Sequence, residues 1–315
     1  MRRRLAFCSV VILIACGSRT ALVGDFDEET SDASTDSGTR HDSGRDSGRD
    51  ADLFLDGAPD VFRNDCPSAA TTFIYLISQS RELYSFNPAT NGFRDIGLVN
   101  CPTSDNQVFS MAVDRAGTAY VLFYDGSTPA IGSLWRVSTA NASCKAIPEY
   151  VAGQQGFNGY GMGFATNAGG PSETLYLEGA AYFGSSAGLA SLDTTSFKVD
   201  IKGSNTPEIQ GGELTGTGDG RLFAFYFFSD QTTMFLGQLD KTNGQVLAQT
   251  QLTSVPSGGG FSVGFWGGDF YFFTAPGNDT QVTRYRQSDD SYLGVAMLPG
   301  VTIVGAGVST CAPQQ

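Results

Sequence analysis

A short hairpin signature repeats along the chain and constrains its fold more than any other feature. Its clearest copy occupies residues 239–246, where apolar alternation on both sides of Asn243 and Gly244 predicts two strands joined by a tight turn. The other copies occupy residues 86–93, 137–144, 192–197 and 285–292. A hairpin that recurs about every 45–55 residues in a strand-rich chain is typical of the blades of a β-propeller.

The composition favours the same fold class and excludes one class of partner. The 315 residues include 40 Gly, 23 Phe and 12 Tyr, and only 16% of them are charged, which favours an all-β fold over a helical one. The net charge of −13 argues against binding through phosphate neutralisation. We therefore expect no nucleic-acid partner.

Strands group into blades from residue 73 onward. The second to fifth blades are each predicted to contain four strands: 108–114, 118–124, 133–138 and 144–148; 160–166, 174–183, 189–193 and 197–202; 213–217, 221–228, 235–240 and 245–252; 261–266, 270–275, 281–287 and 292–298. The first blade has only 73–78, 82–87 and 93–98, and the lone strand 302–309 would supply its innermost strand. The prediction for residues 66–315 is thus a five-bladed β-propeller closed by strands from both chain ends, which leaves no exposed sheet edge at the junction.

The amino terminus is predicted to be an export signal. Three arginines at positions 2–4 precede an apolar run over residues 5–15 that is too short to span a bilayer. The run ends in Leu13-Ile14-Ala15-Cys16, which resembles the lipobox of bacterial lipoproteins. That resemblance implies a signal peptide over residues 1–15, cleavage after Ala15 and lipid attachment at Cys16. An ordinary signal peptide with an incidental cysteine is the alternative.

Residues 16–65 are predicted to form a disordered, acidic linker behind the lipid. Between residues 17 and 65 there are 13 Asp or Glu and five Arg, with almost no apolar periodicity. The repeat Asp42-Ser43-Gly44-Arg45 and its copy at 46–49 could suggest a calcium-binding loop, but the glutamate that such a loop requires is absent.

Together, the lipobox, linker and blade repeat resemble the outer-membrane lipoproteins of Gram-negative bacteria that carry a propeller domain. Gly17 follows Cys16 in place of the Asp of inner-membrane retention signals, so the resemblance implies the outer membrane as location and a membrane partner reached through the lipid anchor. The family supplies no assigned activity. We expect the protein to be a monomer.

Four cysteines remain after Cys16 in the exported chain, at positions 66, 101, 144 and 311. An even number in an exported protein predicts two disulfides, for which three pairings exist. We favour Cys66–Cys311, because these residues bracket the strand that closes the ring, and hence Cys101–Cys144. Zinc binding is not expected, since the propeller contains no histidine and the cysteine spacings are wide.

Three glycine-containing motifs are interpreted as structural. The sequence at 184–188 fits G-x-S-x-G, but a strand follows it where a nucleophile elbow needs a helix, and the chain's only histidine is His41 in the linker. The glycine-rich stretches 159–163 and 216–220 neither open a helix nor carry a phosphate-loop lysine. We therefore predict no catalytic residue, no metal site and no cofactor.

Glu213 is the exception among the innermost strands. It occupies a position that is Ser110, Gly161 and Ser262 in other blades, so a carboxylate would face the propeller axis. Such a group could contact a ligand or act as an acid or base, while a solvated channel residue is the simpler interpretation.

Binding is expected at the end of the axis that carries the long, irregular connections between blades, because loops on a rigid scaffold commonly hold binding residues. The candidate contacts there are Glu213, Tyr150, Gln155, Phe157 and Asn158, a mixture of aromatic, amide and acidic groups suited to a glycan or protein ligand. The predicted function is a binding module displayed on the envelope. The alternative is a carboxylate-dependent glycan hydrolase or lyase, which two further acids beside Glu213 would favour.

Overall fold

The computed structural model describes residues 66, 73–127, 132–167, 171–184, 188–228 and 233–315. In this part of the chain twenty strands form five antiparallel sheets of four strands each. The strands are β1 Ile74–Ser78, β2 Glu82–Asn87, β3 Gly92–Leu98; β4 Gln107–Val113, β5 Thr118–Tyr124, β6 Gly132–Ser138, β7 Cys144–Ala146; β8 Tyr160–Thr166, β9 Glu173–Gly179, β10 Gly188–Leu192, β11 Val199–Gly203; β12 Gly211–Gly216, β13 Leu222–Phe227, β14 Met234–Leu239, β15 Val246–Gln251; β16 Gly260–Trp266, β17 Asp269–Ala275, β18 Thr280–Arg286, β19 Ser291–Leu298; and β20 Ile303–Gly307.

The sheets are the blades of a five-bladed β-propeller. Four blades are consecutive in the chain, and the first has the order β20-β1-β2-β3. Its innermost strand comes from the C-terminal end and pairs with β1 through Leu76 and Ala306. The predicted fold and the closure by both chain ends are therefore confirmed. The predicted signal peptide, Cys16 and the linker lie outside the described residues, as do positions 185–187 of the G-x-S-x-G motif.

The repeated hairpin signature corresponds to the turn between the third and fourth strands of every blade. In each copy one residue has a positive φ between 54° and 77°, namely Asn91, Ala142, Phe197, Gly244 and Asp290. A polar residue begins each turn, and in three copies the same pattern recurs: Asn87, Asp193 and Asp240 each accept the backbone N–H two positions later through Oδ1. This local hydrogen bonding stabilises a tight turn, which is why the signature is legible in the sequence.

The hydrophobic core lies between blades. Five clusters of buried apolar side chains each join one blade to the next, and the second strands are almost entirely buried because blades cover both of their faces. The innermost strands also pack directly against one another. A Cβ on Gly161 would lie 1.9 Å from the carbonyl oxygen of Gly212, so only glycine permits this approach of β8 to β12.

The second strand of the third blade is shorter than predicted. Instead of continuing to residue 183, β9 ends at Gly179, and a 3-10 turn over Ala181–Phe183 follows. This turn positions Tyr182, whose importance is described below. No helix in the described residues has the length and apolarity needed to cross a bilayer.

Candidate functional site

The two ends of the propeller axis differ in construction. The innermost strands β4, β8, β12, β16 and β20 all run in one direction, so we call the end at which they begin the mouth and the end at which they finish the sealed end. Long connections between blades lie at the mouth, while the turns between first and second strands lie at the sealed end.

A cavity of about 110 Å³ opens at the mouth. Its wall is built from residues where innermost strands begin and second strands end, together with Tyr182. The lining residues are Gln79, Gln107, Val108, Phe109, Tyr124, Ala180, Tyr182, Gly212, Glu213, Gly259, Gly260, Phe261 and Val304. Four blades and the 3-10 turn thus converge on one small space, which combines four aromatic rings, two amides and one carboxyl group.

Glu213 is the carboxyl group of this cavity, and it is nearly buried, with 4% of its surface exposed. The Ser110 hydroxyl donates to Glu213 Oε2 over 2.7 Å, and the Met162 N–H donates to the Ser110 oxygen over 3.1 Å. Burial raises the pKa of Glu213 well above its usual range, against the opposing effect of the Ser110 hydroxyl and the Met162 N–H. The predicted position facing the axis is correct, whereas a freely solvated carboxylate is wrong because neighbouring strands enclose the group.

A β-bulge beside Glu213 shapes the opposite wall. The pairing of β4 with β5 shifts register between Val108 and Ser110, so Phe109 is the extra residue. The shift aims the Ser110 hydroxyl at Glu213 and leaves the Phe109 ring in the cavity wall, edge-on to Tyr124 with 5.4 Å between ring centroids. Tyr124 in turn donates its hydroxyl to Gln107 Oε1 over 2.6 Å.

Tyr182 forms the outer part of the wall. The residue is 37% exposed, and partial burial, with the Glu213 and Tyr124 groups nearby, raises the pKa of Tyr182. Gly211 makes room for the ring, since a Cβ there would lie 2.4 Å from Tyr182 Cε1. Tyr182 therefore lines the cavity because β9 ends early and Gly211 leaves room for the ring.

The structure does not bring the other predicted contacts into this cavity. Phe157 is 2% exposed and belongs to the core between the second and third blades, so the exposed ring expected from the sequence is buried. The nearby Gln154 accounts for this placement. Its side chain bonds to the Phe197 carbonyl and the Val199 N–H, which holds the loop against the third blade. Asn158 donates to the Gly184 carbonyl, and Gln155 remains exposed.

Tyr150 lies at a different depression. Its hydroxyl is 2.8 Å from that of Tyr160, and its ring lines a pocket of about 190 Å³ along the outer strands of the second blade, with Trp135 and Pro148. This pocket contains no charged side chain among its lining residues. Among the sequence-predicted contacts, only Glu213 therefore lines the mouth cavity.

The sealed end is closed by the C-terminal segment. Gly218 N–H donates to Gln314 Oε1 over 3.0 Å, and Gly267 N–H donates to the Pro313 carbonyl over 2.8 Å, so the segment bonds to the turns of two blades. Glu173 fixes it further by accepting the Arg115 N–H and the Thr310 hydroxyl, each over 2.7 Å.

Both predicted disulfides are present. Cys66 and Cys311 are bonded with 5.8 Å between their Cα atoms, and Cys101 and Cys144 with 5.3 Å. The first bond attaches the start of the propeller to the segment that seals the axis, and the second joins the loop before β4 to the start of β7. No group of three or more His, Cys, Asp or Glu side chains that could hold a metal ion occurs in the described residues.

Sequence reasoning missed most of the mouth residues. One feature of the sequence pointed to aromatic groups at this level of the axis. The residue just before the position equivalent to Glu213 is aromatic in three blades, at Phe109, Tyr160 and Phe261. Gln79, Gln107 and Tyr124 carried no such signal, because strand ends converge only once the ring has closed.

No protein-family model matches this sequence, and no curated protein matches it. Among solved structures, a chain of the nidogen/laminin complex is similar with a TM-score of 0.48 and 10% identity, covering 75% of this chain and 97% of that one. An exo-β-1,3-galactanase from Phanerochaete chrysosporium, solved with β-1,3-galactotriose, is similar with a TM-score of 0.42 and 13% identity, covering 62% of this chain and 51% of that one. Likenesses this distant carry no argument about ligand or activity.

Proposed function

We propose that this protein is a ligand-binding β-propeller displayed on the outer membrane, with its site in the mouth cavity. The observation that carries the proposal is the placement of Glu213. A nearly buried carboxyl group is held by Ser110 and lines an open cavity with aromatic and amide groups. Burying such a group costs stability, which indicates a role other than folding. Groups of this kind concentrate at functional sites.

The contrast between the ends of the axis supports the same site. The sealed end is filled by the C-terminal segment, and its polar groups bond to one another, whereas the mouth keeps its polar and aromatic groups around free space. A cavity of about 110 Å³ is smaller than the 300–1,000 Å³ typical of drug-sized ligands, so it suits one terminal group of a larger ligand. The rest of such a ligand would lie on the long loops.

Display on the envelope is the second part of the proposal. It rests on the lipobox-like Leu13-Ile14-Ala15-Cys16 and on the acidic stretch that follows, both read from the sequence. Two or three acyl chains on Cys16 would anchor the protein stably, and the linker would hold the propeller away from the membrane. The intact mass of protein extracted from membranes tests this part: loss of residues 1–15 with added acyl chains is expected, and an unmodified, uncleaved chain would contradict it.

The alternative function, a glycan hydrolase or lyase, has weaker support. Hydrolysis at a glycosidic bond ordinarily uses two carboxyl groups on either side of the bond. Among the described residues that line the cavity, Glu213 is the only acid. A binding module therefore fits the cavity better than a two-carboxylate enzyme.

Arrays of envelope glycans and peptides would test the binding site. Wild-type protein is compared with Tyr182→Ala, which opens the mouth wall, and with Lys241→Ala, which alters a turn away from the mouth. We expect signals on the array to be lost in Tyr182→Ala and kept in Lys241→Ala. Equal loss in both variants, or loss only in Lys241→Ala, would place the site elsewhere.

A further inference from the structure

We infer that the mouth cavity recognises an organic ammonium group, such as a quaternary amine or an alkylammonium side chain, which pairs with Glu213 and packs among the surrounding aromatic rings. This inference rests on the proposed binding function and names the chemistry of the ligand. It depends on three features of the cavity: the sign of its charge, the composition of its wall and its size.

The charge of the cavity selects a cation. Glu213 is the only charged residue among the lining residues, and no Lys, Arg or His of the described chain lines the cavity to neutralise it. The strands packed against Glu213 present Ser110, Met162 and its cross-strand neighbour Phe225, which carry no charge. An anionic group would find no positive partner there, whereas a cation would supply the missing partner of the nearly buried carboxyl once it ionises.

The wall selects an organic cation over a metal ion. Phe109, Tyr124, Tyr182 and Phe261 surround the same space, and aromatic faces attract ammonium groups. Calcium and magnesium instead need six or more ligands, nearly all of them oxygens of carboxylates, carbonyls, phosphates or water. One carboxyl group among four rings matches a cation whose charge is spread over carbon-bound groups.

The size and the net charge agree with this assignment. A cavity of about 110 Å³ accommodates one small head group. The net charge of −13 on the chain favours the approach of cations and disfavours that of anions.

Binding should depend on pH in a direction that follows from Glu213. Burial raises the pKa of its carboxyl, and the ammonium group pairs with the ionised form of that carboxyl. Tyr124 and Tyr182 are the other titratable groups at the cavity, and burial raises the pKa of both, so they stay neutral. Affinity for the cation is therefore expected to increase as the pH rises through the pKa of Glu213.

Choline and 3,3-dimethylbutan-1-ol form a matched pair of probes, because they have the same shape and differ only in the charge of the central atom. Isothermal titration of the full-length protein at constant ionic strength should show choline binding at least about tenfold more tightly than the alcohol, which corresponds to about 1.4 kcal/mol. The preference for choline should increase as the pH is raised.

Two variants connect the result to Glu213. Glu213→Gln keeps an acceptor for Ser110 but removes the charge, and it should lower choline affinity about tenfold without improving binding of the alcohol. Glu208→Gln removes the same charge from an exposed position on a loop at the mouth, and it should leave choline affinity unchanged. Phe109→Leu is the second test of the cavity, and it should weaken choline binding even if Glu213→Gln does not fold.

The outcomes separate this inference from the proposed function. Equal binding of choline and the alcohol, or choline binding that survives in Glu213→Gln, would overturn the ammonium assignment and leave a neutral ligand at the same mouth. No detectable choline binding at any pH would overturn it as well. Failure of the proposed function would instead appear on the arrays, as binding that is insensitive to Tyr182→Ala.

Discussion

Glu173, which is partly buried, and Glu213, which is nearly fully buried, are acids at opposite ends of the same axis, and burial raises the pKa of both. At the sealed end, Glu173 uses both oxygens, one for the Arg115 N–H and one for the Thr310 hydroxyl, and so attaches the C-terminal segment to two blades. At the mouth, Glu213 bonds to Ser110 but also lines an open cavity. The chemical group is the same, but the first acid completes the fold and the second remains directed towards a space that a ligand can enter.

Burial alone therefore does not identify a functional acid. What distinguishes Glu213 is the combination of an enclosed carboxyl, an accessible cavity and aromatic walls, whereas both oxygens of Glu173 accept hydrogen bonds from the chain itself. Variants at the two ends should therefore separate stability from binding.

Removing the disulfide at the sealed end should have the largest effect on stability. The Cys66–Cys311 bond spans 245 residues and Cys101–Cys144 spans 43. In the chain-entropy model, loss of the first lowers the free energy of unfolding by about 5 kcal/mol and loss of the second by about 4 kcal/mol. Urea denaturation of Cys66→Ala/Cys311→Ala and Cys101→Ala/Cys144→Ala measures both. A larger loss of stability in Cys101→Ala/Cys144→Ala than in Cys66→Ala/Cys311→Ala would show that the Cys66–Cys311 bond does not stabilise the protein by closing the ring.

A third buried acid, in the interface between two blades, should contribute strongly to the pH dependence of stability. Glu178 is 0% exposed in the interface between the third and fourth blades, and the Asn205 amide donates to its Oε2 over 3.2 Å. Burial raises the pKa of Glu178 to about 8, so the folded state holds a proton that the unfolded chain releases near pH 4.5.

The contribution of Glu178 to the free energy of unfolding should therefore be greatest below about pH 4.5. It should fall by a few kcal/mol as the pH rises to about 8. Glu178→Gln stays neutral and should remove the part of this decline that Glu178 causes when unfolding is followed across the same pH range. The Glu178→Asp variant keeps the titrating group and serves as the control. A decline of equal size in Glu178→Gln would assign the pH dependence to another group.

The matched substitutions Glu173→Ala and Glu213→Gln test the comparison between the ends directly. Glu173→Ala should lower the free energy of unfolding by about 2 kcal/mol, because two hydrogen bonds to the C-terminal segment are lost, and should leave choline affinity unchanged. Glu213→Gln should lower choline affinity and should not destabilise the protein near neutral pH, because it removes a buried group whose ionisation is unfavourable. If the two variants exchange these phenotypes, the ends have been assigned the wrong roles.

The smallest effect is expected at Gly211. Gly211→Ala places a methyl group against the Tyr182 ring and should reduce choline affinity by about threefold while the fold is retained. Gly294→Ala is the control, because nothing lies within 4 Å of a Cβ at that strand position. Titration of both variants compares them, and equal affinities would show that the Tyr182 ring does not form part of the binding wall.

Features set by local or repeating interactions could be predicted from the sequence. The turn that begins at Asp240 is stabilised by its own side chain, so its pattern is visible in the local sequence. Ring closure follows from the missing innermost strand of the first blade. Glu213 was visible because it interrupts a regular series of small residues. These inferences needed no knowledge of contacts between distant segments.

The rest of the site depends on long-range packing. Phe157 looked like a loop residue, yet the Gln154 bonds to the third blade draw its ring into the core. Tyr182 was assigned to a continuous strand, whereas β9 ends at Gly179 and a 3-10 turn redirects the chain towards Glu213. Neither outcome follows from periodicity, because both are decided by contacts with other blades.

The most direct test of this account is a titration of the Glu213 carboxyl itself, followed by carbon NMR in the full-length protein with and without choline. We predict a pKa well above the ordinary value near 4.5 in the free protein, caused by burial, and a marked decrease when choline pairs with the carboxylate. An ordinary pKa that does not respond to choline would contradict the account, because Glu213 would then be neither enclosed nor in contact with the cation.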